Sequence, residues 1–526
     1  MPVVMHRAPT LMGSAPGHER GRRSKTGTPL PLSVEAATRS PLVNSWSRGS
    51  SVITITYPGD AQLNTYGRST QAVADGGGAS SQRRVPEGRC GSFDQVRRAA
   101  VGDLRVGMDV AAIGWSYKRG VEVRGLQWVT EIPRGERIQP LVSTVGLPRE
   151  MRIGAGALDQ LVDVVTGLAS RRPMVITDSY LAGGGRVDQL ISALTEADLD
   201  AVYFDGTVPD PTTASLDAGL RAVRDHGADL LVGFGGGSPM DTAKALALLA
   251  VEGGSMRDYK APARNDRAGL PVVAVPTTAG SGSEATQFTI ITDSESDEKM
   301  LCIGRAFLPV AAIVDFELTM TMPPRLTADT GIDALTHAVE AYVSRKNNPF
   351  SDGFSLSAIT TIGRNLRKAY TDGSDREARE AMMLASTQAG IAFSNSSVAL
   401  VHGMSRPIGA HFHLAHGLSN AMLFPAVTRF SLSAATSRYA DCARAFGCAD
   451  PNTSDEVAAE QLVDAIVDLC RDLAVPTPSE CGIARDRWFG LAALMAEQAL
   501  ESGSPANNPR VPNAGEIEAI YAEIYR

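Results

Sequence analysis

The stretch Ala228–Ala250, ADLLVGFGGGSPMDTAKALALLA, decides the fold. Its first apolar run, Leu230 to Phe234, is too short for a helix and reads as a buried strand. Gly235, Gly236 and Gly237 follow, and alanines and leucines then return at helical spacing from about Pro239. Proline suits the first turn of a helix, and Ser238 stands where it can cap that turn. A glycine turn between strand and helix lets backbone approach a ligand with no Cβ in the way. The free N–H groups and the positive end of the helix dipole then face an anion, and a pyrophosphate fits best. A plain tight turn produces similar letters, so the reading depends on its neighbours.

Two neighbours support it. RRPMVITDSYLAGGG, from Arg171, contains a strand from Met174 to Thr177 that ends in Asp178, where a carboxylate can accept hydrogen bonds from a ribose. The same aspartate could equally cap the next helix, and the two roles are compatible. PVVAVPTTAGSGSEATQF, from Pro271, sets a third apolar strand before a hydroxyl-rich loop, Thr277 to Ser283. Strand and helix alternating at these intervals predict a parallel sheet whose loops gather at one edge.

A different chemistry appears downstream in GIDALTHAVEAY and HGMSRPIGAHFHLAHGLSNAMLFP, which carry Asp333, His337, His402 and His416. One carboxylate and three imidazoles suit Fe(II) or Zn(II) better than they suit a thiol-type structural metal site. Asp333 and His337 are i and i+4 in a stretch without helix breakers, so on a helix they share a face and can chelate one ion. Pro407 and Gly409 lie between His402 and His416, which predicts a helix, a bend at those residues and a second helix. A lone DxxxH pair is commonly a surface pair. Here, however, His402, His411, His413 and His416, half of the chain's 8 histidines, fall within 15 residues of an otherwise apolar, glycine-containing segment. Burying that many polar rings is costly unless a metal or hydrogen bonds satisfy them.

Taken together, GGGSPMDTAKA, PTTAGSGSEAT, LTMTMPPRLTADTGIDALTHAVEAYVS and HGMSRPIGAHFHLAHGLSNAMLFP resemble the iron-containing (group III) alcohol dehydrogenase family, over roughly residues 140 to 526 and in that family's order. The resemblance implies a Rossmann-like α/β dinucleotide-binding domain over 139–320. It also implies an all-α metal-binding catalytic domain over 321–526, in the dehydroquinate synthase-like arrangement, with the active cleft between the two. It implies Asp333, His337, His402 and His416 as ligands of Fe(II), with Zn(II) as the alternative ion. It implies that Asp178, Gly236, Gly237, Ser238, Asp241, Thr277, Thr278, Ser281 and Lys299 line the site of NAD, with NADP disfavoured by the Asp178 carboxylate. The activity implied is hydride transfer between an alcohol and an aldehyde or ketone, by a cytoplasmic homo-oligomer for which a dimer is favoured.

Two positions depart from the family pattern. Many members carry a histidine, treated as a proton relay, four residues after the ligand that corresponds to His402, and this chain has Arg406 there. A guanidinium stays protonated and cannot relay. Arg406 is therefore expected either to bind an anionic group of the substrate or to form a structural ion pair, and His411 or His413 is left as the relay. The family's common Asn in a PxP turn is Asp210 here, in VPDPTT. A dehydroquinate-synthase-like lyase is an alternative on the same architecture, but it needs several basic groups around a phosphate, and Arg406 is the main one available. A catalytically silent binding protein is a third reading, opposed by the intact ligand and glycine motifs.

Composition agrees with an enzyme of this size. A chain of 526 residues with 43% hydrophobic content can bury two domain cores. A net charge of −8 gives no general attraction to nucleic acid, and no apolar stretch approaches the roughly 20 residues that span a membrane. Six cysteines, Cys90, Cys302, Cys442, Cys448, Cys470 and Cys481, show no CxxC spacing and read as reduced thiols. Residues 1–138 open with Gly, Ser, Pro and Arg, the composition of a disordered extension, before some strand-like alternation between Val101 and Val129. The preferred reading is a dispensable extension, and an organelle transit peptide is the alternative.

Overall fold

In a computed structural model of the protein, residues 142–526 are described. The extension expected over residues 1–138 lies outside them. Short runs of Val, Ile, Leu and Phe separated by helices form eight strands among these residues: β1 (Glu150–Ile153), β2 (Pro173–Asp178), β3 (Val202–Thr207), β4 (Leu230–Gly235), β5 (Val272–Pro276), β6 (Phe288–Thr292), β7 (Lys299–Ile303) and β8 (Ala311–Val314). Six of them make one parallel sheet in the order β1-β8-β5-β4-β2-β3, and β6 and β7 pair as a separate antiparallel ribbon.

The sheet strands read as unbroken apolar runs because both faces are covered. Val175, Val232 and Phe234 pack to one side against Ile191 and Leu194. Met174, Ile176 and Leu231 turn to the other side, against Leu216, Val223 and Leu246. From β2 the chain moves outward to β3 and then returns to β4 on the opposite flank. That reversal opens a crevice beyond the carboxyl ends of β2 and β4, the usual ligand position in such sheets. Asp178 and Gly235 are the last residues of those two strands.

Beyond Asp315 the short apolar strand runs stop and helices follow one another. Pro323 and Pro324 open the helix Pro324–Val343, the proline at its first position costing no hydrogen bond. This helix runs through the middle of the C-terminal region: of residues 327–343, only Thr330 is not buried. Helices Pro349–Thr371, Arg376–Ser394, Leu400–Phe412 and His416–Ser431 pack in the same cluster, with Leu335, Ile359, Met382, Leu400 and Leu423 among the residues that join them.

Glycines bring the two regions close. A Cβ on Gly280 would lie 2.4 Å from Thr330 Cβ, and one on Gly282, which has φ +62°, would lie 2.6 Å from Gly390 Cα. The loop after β5 therefore rests directly on the helices Pro324–Val343 and Arg376–Ser394.

Two local expectations are corrected. The chain does not bend at Pro407 or Gly409; the helix continues through both to Phe412, and the turn falls at His413, with φ 55°. Proline costs the helix one backbone bond without ending it, whereas a left-handed residue changes the chain direction, and histidine reaches that region more readily than most side chains. Likewise, the glycine-turn helix starts at Gly237 with Gly236 at the capping position, so Ser238 lies inside the first turn and is not the cap. The five described cysteines are all free thiols, and no described helix is long and apolar enough to cross a membrane.

Candidate metal centre and cofactor crevice

Asp333 and His337 come from one face of the Pro324–Val343 helix, His402 from the first turn of Leu400–Phe412, and His416 from the first residue of the following helix. One potential ligand atom from each of the four lies within 4.8 Å of all the others. The imidazole Nε2 atoms of His402, His416 and His337 stand 3.6, 3.8 and 3.9 Å from Asp333 Oδ1. Sequence separations of up to 83 residues are thus closed by helix packing, and the turn at His413 supplies the last donor.

The surroundings fix the donors. Glu340, one turn beyond His337, is buried; it accepts hydrogen bonds from the amides of Ala399 and Val401 at 2.8 and 2.6 Å. Its Oε2 also lies 2.6 Å from His402 Nδ1. The carboxylate requires a proton on Nδ1, which leaves the Nε2 lone pair for the centre. Asn420 directs Nδ2 at Asp333 Oδ1 at 2.7 Å, and at Nε2 of His402 and His416, both at 3.2 Å. Three acceptor atoms thus converge on one N–H₂ group that has two hydrogens to give, an arrangement of lone pairs that attracts a cation. The His337 ring is held flat between Phe393 and His402, with centroids 4.2 and 4.4 Å away.

Electrostatics point the same way. Burial disfavours imidazolium and pushes His337 down to about 3. The same cause takes His416 to about 4, although its ring is still 31% exposed and water softens the effect. Burial works to raise Asp333, but the fields of His337, His416 and His402 outweigh it and hold the carboxyl below its ordinary range. At neutral pH this set offers a carboxylate and the neutral imidazoles of His337 and His416, the protonation states that bind Fe(II) or Zn(II), whereas at His402 burial, which lowers the ring, is outweighed by the Glu340 carboxylate, which raises it. By donor chemistry and position, the four residues fit such an ion.

On the sheet side, the glycine turn and the loop after β5 face each other. A Cβ on Gly236 would lie 3.6 Å from Thr278, and one on Gly237 would lie 3.4 Å from Ser281. Thr277 is anchored by its amide to Gly235 O at 2.9 Å. Asp178 caps the helix Ser179–Gly183 by accepting from Leu181 N at 2.9 Å through Oδ1. Asp241 turns inward: its oxygens accept from Ser283 Oγ at 2.7 Å and Ile290 N at 2.9 Å, so it braces the loop from beneath. Beside it, the fully buried Lys244 donates to Ser283 O and Oγ, both at 2.7 Å, and to Phe288 O at 2.9 Å.

Arg406, His411 and His413 part company. Arg406 is buried, with neither Nε nor Nη1 bonded, and burial takes it down to about 10. No structural ion pair of Arg406 is found among the described residues. His411 is half-buried and its Nε2 lies 2.8 Å from Gln498 Oε1. His413 is exposed at the end of its helix. Lys299 forms an ion pair with Asp210 at 2.9 Å, which joins one residue expected at the cofactor to the position where the family's common Asn is replaced. Sequence reasoning missed Glu340 and Asn420. Both carried a signal, since Glu340 follows His337 by three residues and Asn420 follows His416 by four, the helical neighbours of the two donors.

Comparison with known proteins agrees with this geometry. Residues 148–316 match the model of "Iron-containing alcohol dehydrogenase", and residues 327–525 match that of "Fe-containing alcohol dehydrogenase family, C-terminal". The chain is 39% identical over 388 residues to the long-chain-alcohol dehydrogenase 1 of Geobacillus thermodenitrificans, covering 73% of this chain and 97% of that one. It is 36% identical over 375 residues to the NAD-dependent methanol dehydrogenase of Bacillus methanolicus, covering 71% and 97%. A crystal structure of 1,3-propanediol oxidoreductase superposes with a TM-score of 0.70 at 35% identity, over 73% of this chain and all of that one. On the strength of the parallel sheet, the Asp and three His cage and these matches, the chain belongs to the iron-containing alcohol dehydrogenase family.

Proposed function

We propose that the protein is a metal-dependent, NAD-linked alcohol dehydrogenase that interconverts an alcohol and an aldehyde or ketone, with Asp333, His337, His402 and His416 as the metal ligands. The observation that carries this is the convergence of those four donors within 4.8 Å of one another, two of them on the helix Pro324–Val343 against which the loop after β5 rests. Bound there, Fe(II) or Zn(II) supplies a Lewis acid to the substrate oxygen, and NAD supplies the hydride acceptor.

The chain's own residues do the rest. Glu340 orients His402 and raises its donor strength, and Asn420 spaces Asp333 from the two imidazoles. Gly236 and Gly237 leave room for a pyrophosphate over the first turn of the Gly237–Glu252 helix, whose N–H groups face it. Thr277, Thr278 and Ser281 offer hydroxyls on the opposite wall. The Asp178 carboxylate stands at the end of β2, where it accepts from the ribose of NAD and repels the 2′-phosphate of NADP. The alcohol proton is assigned to His411, a half-buried imidazole bonded to Gln498, because Arg406 cannot relay a proton. The free thiols support a reducing, cytoplasmic setting, and a dimer is the simplest assembly.

The test is metal analysis of anaerobically purified protein, combined with NADH and NADPH oxidation across neutral and charged aldehydes and short ketones. About one Fe or Zn per chain together with NADH-dependent reduction is expected; metal-free protein with full turnover would remove the ligand assignment.

A further inference from the structure

Arg406 follows His402 by four residues, so it leaves the same helix on the same face one turn beyond a metal donor. It is 5% exposed, and among the described residues no hydrogen bond or ion pair reaches its guanidinium, whose Nε and Nη1 find no acceptor. Glu340 is the carboxylate that acts on it through space, but its oxygens are taken by Ala399 N, Val401 N and His402 Nδ1.

Arg406 lines a cavity of about 350 Å³ together with Lys260, Lys299, Gln498 and Glu501. Lys299 reaches from β7 toward the helix that carries Arg406, with Nζ 2.8 Å from where a Cβ on Gly409 would stand. The two lysines are already neutralised, Lys260 by Glu298 at 2.7 Å and Lys299 by Asp210 at 2.9 Å. Asp297 and Glu501, also in the lining, are exposed and screened by water. The remaining buried and unmatched charge is that of Arg406. A buried cation without a partner is costly to keep, and a ligand that matches it gains a charge-assisted hydrogen bond.

We propose that this cavity receives the end of the substrate remote from its carbonyl, and that Arg406 pairs there with a carboxylate, so that the preferred substrate is a short aldehyde acid and its hydroxy-acid product. The inference rests on the alcohol dehydrogenase reading above. In the reduction, hydride from NADH and one proton convert the aldehyde to a primary alcohol, and the carboxylate is unchanged. A cavity of this size holds a chain of a few carbons. Gln498, in the same lining, keeps its Oε1 on His411 and can donate a second hydrogen bond to the same anion through Nε2.

The experiment uses the full-length, Fe(II)-loaded protein and compares kcat/KM for 4-oxobutanoate and butanal with NADH. Calorimetric titration of 4-hydroxybutanoate and 1-butanol is run in parallel. The acid should be preferred by at least about tenfold, and Arg406→Gln should lower that ratio by about tenfold or more. Gln498→Glu, which adds a competing carboxylate to the cavity lining, should lower it as well and decides the matter if Arg406→Gln does not fold. Butanal reduced as well as the acid, or a ratio unchanged in the folded variants, would overturn the proposal and leave the dehydrogenase reading standing. If neither aldehyde is reduced, that reading fails, and the titration decides separately: 4-hydroxybutanoate binding that is lost in the variant supports the anion site, and no binding overturns it.

Discussion

The sheet region and the helical region build the cleft by opposite means. The sheet contributes backbone: a glycine turn whose Cα hydrogens face Thr278 and Ser281, and a helix end with unpaired N–H groups. The helices contribute side chains, four donors held by the buried Glu340 and Asn420. Where backbone does the work, the damaging change is an added atom; where side chains do it, the damaging change is a lost one. The two regions should therefore fail differently, the first through fit and folding and the second through metal content in a folded protein.

The largest effect is expected on the helical side. His337→Ala removes a donor from a buried site, so turnover should fall by more than about a hundredfold and bound metal should drop steeply, while circular dichroism and cofactor affinity persist. Elemental analysis of the purified variant checks this, and full metal occupancy with full activity would break the comparison. On the sheet side, Gly282→Ala should do the reverse. Alanine is strained at φ +62°, and its Cβ would collide with Gly390 Cα, so about 2–5 kcal/mol of stability should be lost. A denaturant titration reads that loss, and an unchanged midpoint would show that the two regions do not meet as described.

Glu340→Gln sharpens the comparison. The variant keeps the shape but loses the carboxylate that orients His402, so metal affinity should weaken by roughly 10–100-fold with the fold retained. Competition with a chelator measures it, and an unaltered affinity would mean that Glu340 serves packing alone. The smallest shift is expected for Asp178→Gly, which removes the repulsion of a 2′-phosphate and should move the NADH-to-NADPH preference by about tenfold, or ~1.4 kcal/mol. A preference for NADPH in the unmodified protein would remove the argument. Loss of the cap to Leu181 N should appear in the same variant as a drop in stability of only about 0.3 kcal/mol, since glycine is itself a tolerable capping residue.

Much of the cleft was readable because its parts are local. A strand, three glycines and a helix lie within 23 residues, and Asp333 and His337 share a helical face by spacing alone. The reading went astray where local chemistry is permissive. Pro407 looks like a break, yet the helix passes through it, and the turn falls to His413, whose left-handed backbone no neighbouring residue announces. Asp241 sits among the cofactor residues in sequence but faces inward, because the ribbon of β6 and β7 lies beneath it and Ile290 N needs an acceptor.

The sequence by itself determined the alternation that makes a covered parallel sheet, the glycine turn at its edge and the kinds of donor at the metal centre, since each depends on residue type and short-range periodicity. The tertiary structure alone decided that His402 and His416 meet the Asp333 and His337 pair, that Glu340 and Asn420 hold them, and that Arg406 is buried without a counter-ion. These depend on how helices far apart in the chain pack, and burial, unlike periodicity, is a property of the whole fold.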